Sequence, residues 1–135
     1  MEFPLEKSEE EWKSELTEQE YYVLRKKGTE PRFTELYKDP KDGIYRCSAC
    51  QNPLFDAKTK YNSGSGWPAF YDIISSENVV LAEDRSFGMV RSEVLCGNCG
   101  GHLGHVFEDG PKPTGLRYCI NSVCLKFDED QNSDK

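Results

Sequence analysis

Six cysteines and two histidines hold most of the chemistry open to this chain, and their spacing sorts them. Four cysteines fall in two C-x-x-C pairs, Cys47 and Cys50 in "CSAC" and Cys96 and Cys99 in "CGNC". Two such knuckles supply four thiolates to a tetrahedral zinc. All four positions are then sulfur and none is open to water, so the zinc expected here is structural. The glycines of "CGNCGG" suit the tight turn of a knuckle. The gap between the pairs is longer than in a compact zinc ribbon, so the metal should pin two distant hairpins together. A pair of redox dithiols is the rival reading of the same four residues.

Cys119 and Cys124 remain, both within "GLRYCINSVCLKF". The alternation reads as one strand. Arg117, Cys119 and Asn121 then share one face, and Tyr118, Ile120 and Ser122 the other. A guanidinium beside a thiol favours the reactive thiolate, and the amide of Asn121 can hold a polar substrate group or a water. The pattern alone still leaves Cys119 either a nucleophile or an inert packed thiol. Cys124 faces the opposite way among Val123, Leu125 and Phe127 and reads as core.

His102 and His105 lie in "GGHLGHVFEDGP". On a regular strand residues three apart point to opposite faces, but a turn at Gly104 lets them converge. They can be zinc ligands, surface histidines, or an acid–base pair suited to neutral pH.

These groups need a scaffold. "SEEE" from Ser8 and "TEQE" from Thr17 fit capping boxes, so residues 1–32 are expected to be a helical segment of two short helices packed on a domain. From Phe33 the texture changes to short strand-like runs such as "GIYRC", "PLFD", "NVVLAED" and "FGMVRSEVLC", separated by turn clusters. Residues 33–128 read as a mainly antiparallel β domain carrying the zinc site, and 129–135 as an acidic, disordered tail. With 135 residues, one domain with its own core is expected. The net charge of -7 disfavours nucleic acid and anionic membrane as partners. No apolar run approaches the ~20 residues that span a bilayer, and no secretory signal is visible in "MEFPLEKSEEEW". Reduced cysteines suit the cytoplasm, and an organelle protein trimmed of its import peptide gives the same pattern.

Several motifs together, "SGSGWPAF", "HLGHVFEDGP" and "RYCINS" with the two C-x-x-C pairs, closely resemble the type B methionine-R-sulfoxide reductases. The likeness runs from about Glu20 to Phe127 and keeps the family's motif order. It implies two antiparallel sheets with short N-terminal helices, a structural zinc away from the active site, and reduction of the R epimer of methionine sulfoxide, chiefly in proteins. By position Cys119 matches the family's nucleophile. His102, His105 and Asn121 match its polar active-site residues, and Arg117 the arginine beside the nucleophile. Trp67 matches the aromatic that packs on the substrate's methyl group, with Phe107 lining the same pocket. The implied chemistry is attack of the Cys119 thiolate on the sulfoxide sulfur, with His105 protonating the oxygen and His102 and Asn121 holding it or a bridging water. A sulfenic acid on Cys119 results.

The chain departs from many members of that family in one place. Their Gly-rich loop holds a resolving cysteine, and here it reads "SGSGW", with Ser63 and Ser65. Cys124 is the one spare thiol, but five residues of strand span about 16 Å, and a disulfide needs Cα atoms within about 7 Å. Recycling is therefore expected from an external thiol such as thioredoxin, glutaredoxin or glutathione, acting on a monomer. A zinc-bearing binding module and a thiol peroxidase are the competing classes.

Overall fold

Local signals build the N-terminal part as the sequence predicts. In the computed structural model, which describes residues 3–38 and 41–129, α1 (Glu9–Glu15) and α2 (Glu18–Leu24) each start at a complete capping box. The Ser8 and Thr17 hydroxyls accept from the N–H of Glu11 and Glu20, whose carboxylates accept in return from the cap N–H. Helices this short are not stable alone. Burial of Trp12, Val23 and Leu24 against the β domain holds them.

Nine strands follow among the described residues: β1 (Gly43–Cys47), β2 (Pro53–Asp56), β3 (Lys60–Tyr61), β4 (Ala69–Phe70), β5 (Val79–Asp84), β6 (Arg91–Cys96), β7 (His102–Phe107), β8 (Arg117–Ile120) and β9 (Leu125–Glu129). They form two antiparallel sheets, one ordered β2-β1-β9 and the other β3-β4-β8-β7-β6-β5. The core between them includes Leu54, Phe55, Phe70, Val94, Leu103 and Ile120. Phe55 stacks on Phe70 with ring centroids 4.3 Å apart. The fold class is as read from the sequence: mainly β, two antiparallel sheets, short N-terminal helices and a four-cysteine cluster between hairpins. Apart from Glu129, which ends β9, the expected acidic tail lies outside the described residues.

The closing segment corrects the one-strand expectation. "GLRYCINSVCLKF" is two strands in two different sheets, joined by a 3-10 turn at Ser122–Cys124. Glu30 causes the break. Its buried carboxylate accepts from the N–H of Ser122 (2.7 Å), the N–H of Val123 (3.0 Å) and the Ser122 hydroxyl (3.0 Å). Those backbone donors cannot also serve a sheet ladder. Asn121 therefore leaves the strand just before its side chain would continue the face of Arg117 and Cys119.

A second correction concerns the histidines. Both lie on β7, not in a turn. A bulge between Val94 and Leu95 in the β6–β7 pairing resets the alternation. The two rings therefore converge, with centroids 5.4 Å apart.

Candidate active site

One row of directly opposed residues crosses the larger sheet. Cys119 on β8 pairs with His105 on β7, and His105 pairs with Glu93 on β6. On the far side Cys119 faces Ala69 on β4. Opposed residues in an antiparallel pair present their side chains on the same face, with Cβ atoms about 5 Å apart. The register alone thus sets a thiol beside an imidazole. Phe107 opposes Arg117 two residues along, on the same face. Gly104 permits the approach, because a Cβ there would lie 2.0 Å from the Cys119 carbonyl oxygen.

This row floors a cleft of about 380 Å³, lined among others by Cys119, His105, Trp67, Phe107, Arg117 and Asn121. Six of the residues singled out in the sequence meet there. His102 does not line the cleft. It is 3% exposed, behind His105, with Nδ1 2.6 Å from the Glu93 carboxylate. Burial pushes its pKa down against the pull of Glu93, so the ring is neutral and Nδ1–H is the donor. Asn121 reaches the cleft with its amide already engaged. Its oxygen accepts from the Glu30 N–H (3.0 Å), and its nitrogen donates to the Leu103 carbonyl (2.9 Å).

His105 is oriented by a residue the sequence reading passed over. Asp84, on the edge strand β5, sits 2.8 Å from Nε2. The His105 bond, with help from the Ser86 N–H, holds the Asp84 carboxyl well below the usual carboxylate range. An ionised Asp84 accepts from Nε2–H and leaves Nδ1 as the basic nitrogen.

Arg117 does less for Cys119 than expected. Its guanidinium makes a paired contact with Asp109 (2.9 and 3.2 Å) and stands 4.4 Å from the Phe107 ring centroid. Burial is the largest influence on Cys119 and pushes the thiol up; Arg117 and the nearby Ser65 hydroxyl only partly offset it. The resting thiol is protonated at neutral pH, contrary to the expectation of a preformed thiolate. Trp67 is fixed by an Nε1–H bond to the Glu30 carbonyl (3.0 Å).

The second constellation is a candidate metal centre. Cys47 ends β1 and Cys96 ends β6, and each knuckle is the loop of a hairpin, residues 48–52 and 97–101. The loops share one backbone plan. The N–H of Gln51 returns to the Cys47 carbonyl, as that of Gly100 does to Cys96. Both residues take positive φ, 67° and 75°. Glycine suits that conformation, whereas Gln51 adopts it at a cost of about 1 kcal/mol. The four sulfurs lie within 4.8 Å of one another, with Cys47 to Cys99 at 3.8 Å and Cys50 to Cys96 at 3.6 Å. A tetrahedron with metal–sulfur bonds of about 2.3 Å has edges of about 3.8 Å. The residues fit a metal ion, and four thiolates this close, three buried and that of Cys50 half-buried, need a cation to coexist.

The family model for the SelR domain matches residues 16–129. The chain belongs to the SelR domain family. Proteins named peptide methionine sulfoxide reductase MsrB are similar to it along nearly their whole length. The one from Methanosarcina mazei is 58% identical over 132 residues, covering 97% of this chain and 94% of its own. That from Leptospira interrogans is 56% identical over 131 residues, covering 96% and 100%. That from Pseudomonas fluorescens is 57% identical over 122 residues, covering 90% and 94%.

In this SelR domain the sequence reading missed Glu30, Asp84, Glu93 and Arg91, which act on or beside the site from other elements. Glu93 gave one faint signal, a carboxylate directly before the apolar run Val94–Cys96. Glu30 gave none. Replacing it should be costly, since Glu30→Ala leaves three donors at Ser122 and Val123 unserved in the interior. A loss of about 3 kcal/mol is expected, read as a lowered midpoint in thermal unfolding. Glu30→Gln should recover part of it. An unchanged midpoint for Glu30→Ala would show that the 3-10 turn does not depend on this carboxylate.

Proposed function

We propose that this chain reduces the R epimer of methionine sulfoxide, chiefly in proteins, with Cys119 as nucleophile and His105 as proton relay. As a SelR domain with relatives at 56–59% identity named peptide methionine sulfoxide reductase, it is an oxidoreductase that reduces methionine sulfoxide. The observation that carries the finer reading is the direct opposition of Cys119 and His105 on the floor of the cleft.

In this mechanism Nδ1 of His105 takes the thiol proton and returns it to the sulfoxide oxygen, while the Cys119 sulfur bonds to the sulfoxide sulfur. The sulfur–oxygen bond of the substrate then breaks as its hydroxyl passes to the Cys119 sulfur, and the transient sulfur–sulfur bond breaks with it. Methionine leaves reduced by two electrons, and Cys119 keeps the oxygen as a sulfenic acid. No proton is gained or lost overall. Trp67 gives the methyl group an apolar seat and Phe107 lines it. Arg91 offers a buried Nε–H without a hydrogen bond among the described residues, a donor suited to the oxygen. His102 and Asn121 act as supports, His102 behind His105 and Asn121 tying the cleft floor to Glu30.

The metal is zinc on this reading, held by Cys47, Cys50, Cys96 and Cys99. When bound it supplies cross-linking of the two hairpins and no chemistry at the sulfoxide. Cys96 lies three positions along β6 from Glu93, so the cluster stands off the reactive row.

Recycling falls to an external thiol such as thioredoxin, glutaredoxin or glutathione. One thiol displaces water from the sulfenic acid to give a mixed disulfide, and a second releases Cys119. The Gly-rich loop offers Cys119 the hydroxyl of Ser65 and no thiol. Cys124 is fully buried, its sulfur directed at the His102 carbonyl (3.4 Å). Without reductant, about one methionine should form per chain, with a trappable sulfenic acid on Cys119. Cys124→Ser should retain both that turnover and steady cycling with thioredoxin. Loss of cycling alone would sink direct external recycling, and absence of the first methionine from folded wild-type protein would sink the mechanism.

A further inference from the structure

Beside the catalytic cleft is a second, smaller hollow that the reaction does not use. Trp67 is common to both, sharing the first with Cys119 and His105 and the second with Phe33, Leu36 and Tyr37. Phe33 and Leu36 are 59% and 68% exposed. Exposed apolar side chains taken singly carry little information, but the backbone here is unusual. Phe33 takes φ 63°, a conformation bulky residues rarely adopt. Its N–H donates to the Gly66 carbonyl (2.6 Å). The Arg32 guanidinium stands over both the Phe33 ring (5.2 Å) and the Trp67 ring (5.7 Å), and its Nε–H donates to the Ser65 carbonyl. The Gly-rich loop of the active site thus holds a strained residue in place, and the strain secures an aromatic ring turned to solvent.

We propose that Phe33 and Leu36 form a docking lip for the residues flanking methionine sulfoxide in an unfolded, apolar stretch of polypeptide. This rests on the reading of the cleft given above. When one side chain of a polypeptide enters this cleft, the residues on either side of it run along the cleft rim. The lip is continuous with the cleft through Trp67. Glu35 and Lys60, which line the hollow, pair with each other (3.6 Å), and the Arg32 guanidinium lies against the two rings, which leaves Phe33 and Leu36 to meet apolar residues. The substrate chemistry agrees: oxidation turns an apolar core methionine polar and disrupts the packing around it. The segments it exposes are those whose other residues are apolar.

The test compares three substrates on the metal-loaded protein: a peptide with the R-sulfoxide flanked by leucines, the same peptide flanked by glycines, and N-acetyl-methionine R-sulfoxide. The variants are Leu36→Ser and Phe33→Gly, the second removing the ring while keeping a residue at ease with positive φ. Each variant should lower kcat/KM on the leucine peptide roughly fivefold, through KM. The glycine peptide and the acetylated amino acid should stay within about twofold of wild type. Phe33→Tyr should restore the leucine peptide. An equal loss on all three substrates would mean the lip acts by moving Trp67, and no loss on any would mean nothing docks there; either overturns the proposal. So would a wild-type dimer in sedimentation that Leu36→Ser converts to monomer. Failure of wild-type protein on the acetylated amino acid would instead strike the reading of the cleft.

Discussion

Cys119→Ser is expected to release no measurable methionine from an R-sulfoxide peptide while folding and holding its metal as wild type does. A hydroxyl of the same reach cannot bond the sulfoxide sulfur at a useful rate near neutral pH, so single-turnover rates should fall at least about 10⁴-fold. The pH profile of wild type tests the relay more closely. Burial pushes the Cys119 thiol above its ordinary value, so the proton that His105 must carry is still on sulfur at neutral pH. That proton is lost once the thiol ionises. The single-turnover rate should therefore fall above the ordinary thiol value of about 8.5. A rate that climbs through that range would show that a thiolate formed in advance is the reactive species, and the relay would be wrong.

Removing the metal should have the other large effect. A structural zinc held by four thiolates contributes on the order of 10 kcal/mol or more at neutral pH, comparable to the whole stability of a small domain. Here the four ligands come from two hairpin loops in two sheets, so the loss cannot be confined to one turn. Chelation is expected to abolish cooperative thermal unfolding and expose Cys47, Cys50, Cys96 and Cys99 to a thiol reagent, with one zinc per chain recovered. Cys99→Ser should weaken binding in the same direction. A sharp, unshifted transition in metal-free protein would refute a structural role for the cluster.

What the sequence disclosed and withheld divides by distance along the chain. Capping boxes at Ser8 and Thr17, the knuckles and the hairpins are legible because their causes lie within a few residues. The break after Ile120 is not, because its cause is Glu30, 92 residues upstream of Ser122, while alternation continues unbroken through the turn. The convergence of His102 and His105 depends on a bulge in the pairing with β6, which no pattern in "HLGHVF" records. Arg117 was rightly placed beside Cys119, yet Asp109 engages its charge and burial dominates the thiol. Proximity could be read from parity, whereas net electrostatics needed every neighbour.

The twin hairpin loops also bear on how the protein comes into being. During synthesis Cys47 and Cys50 emerge first and wait while β2 to β6 are made. A nascent chain halted at β5 presents two thiols without the second pair that completes a tetrahedron. Metal capture is therefore a late event, gated by Cys96 and Cys99, and β1 acquires its second neighbour only when β9 arrives. Until then the protein depends on its surroundings to keep thiols reduced. Its own manufacture is thus open to oxidation at cysteine, a different lesion from the methionine sulfoxide on which it acts.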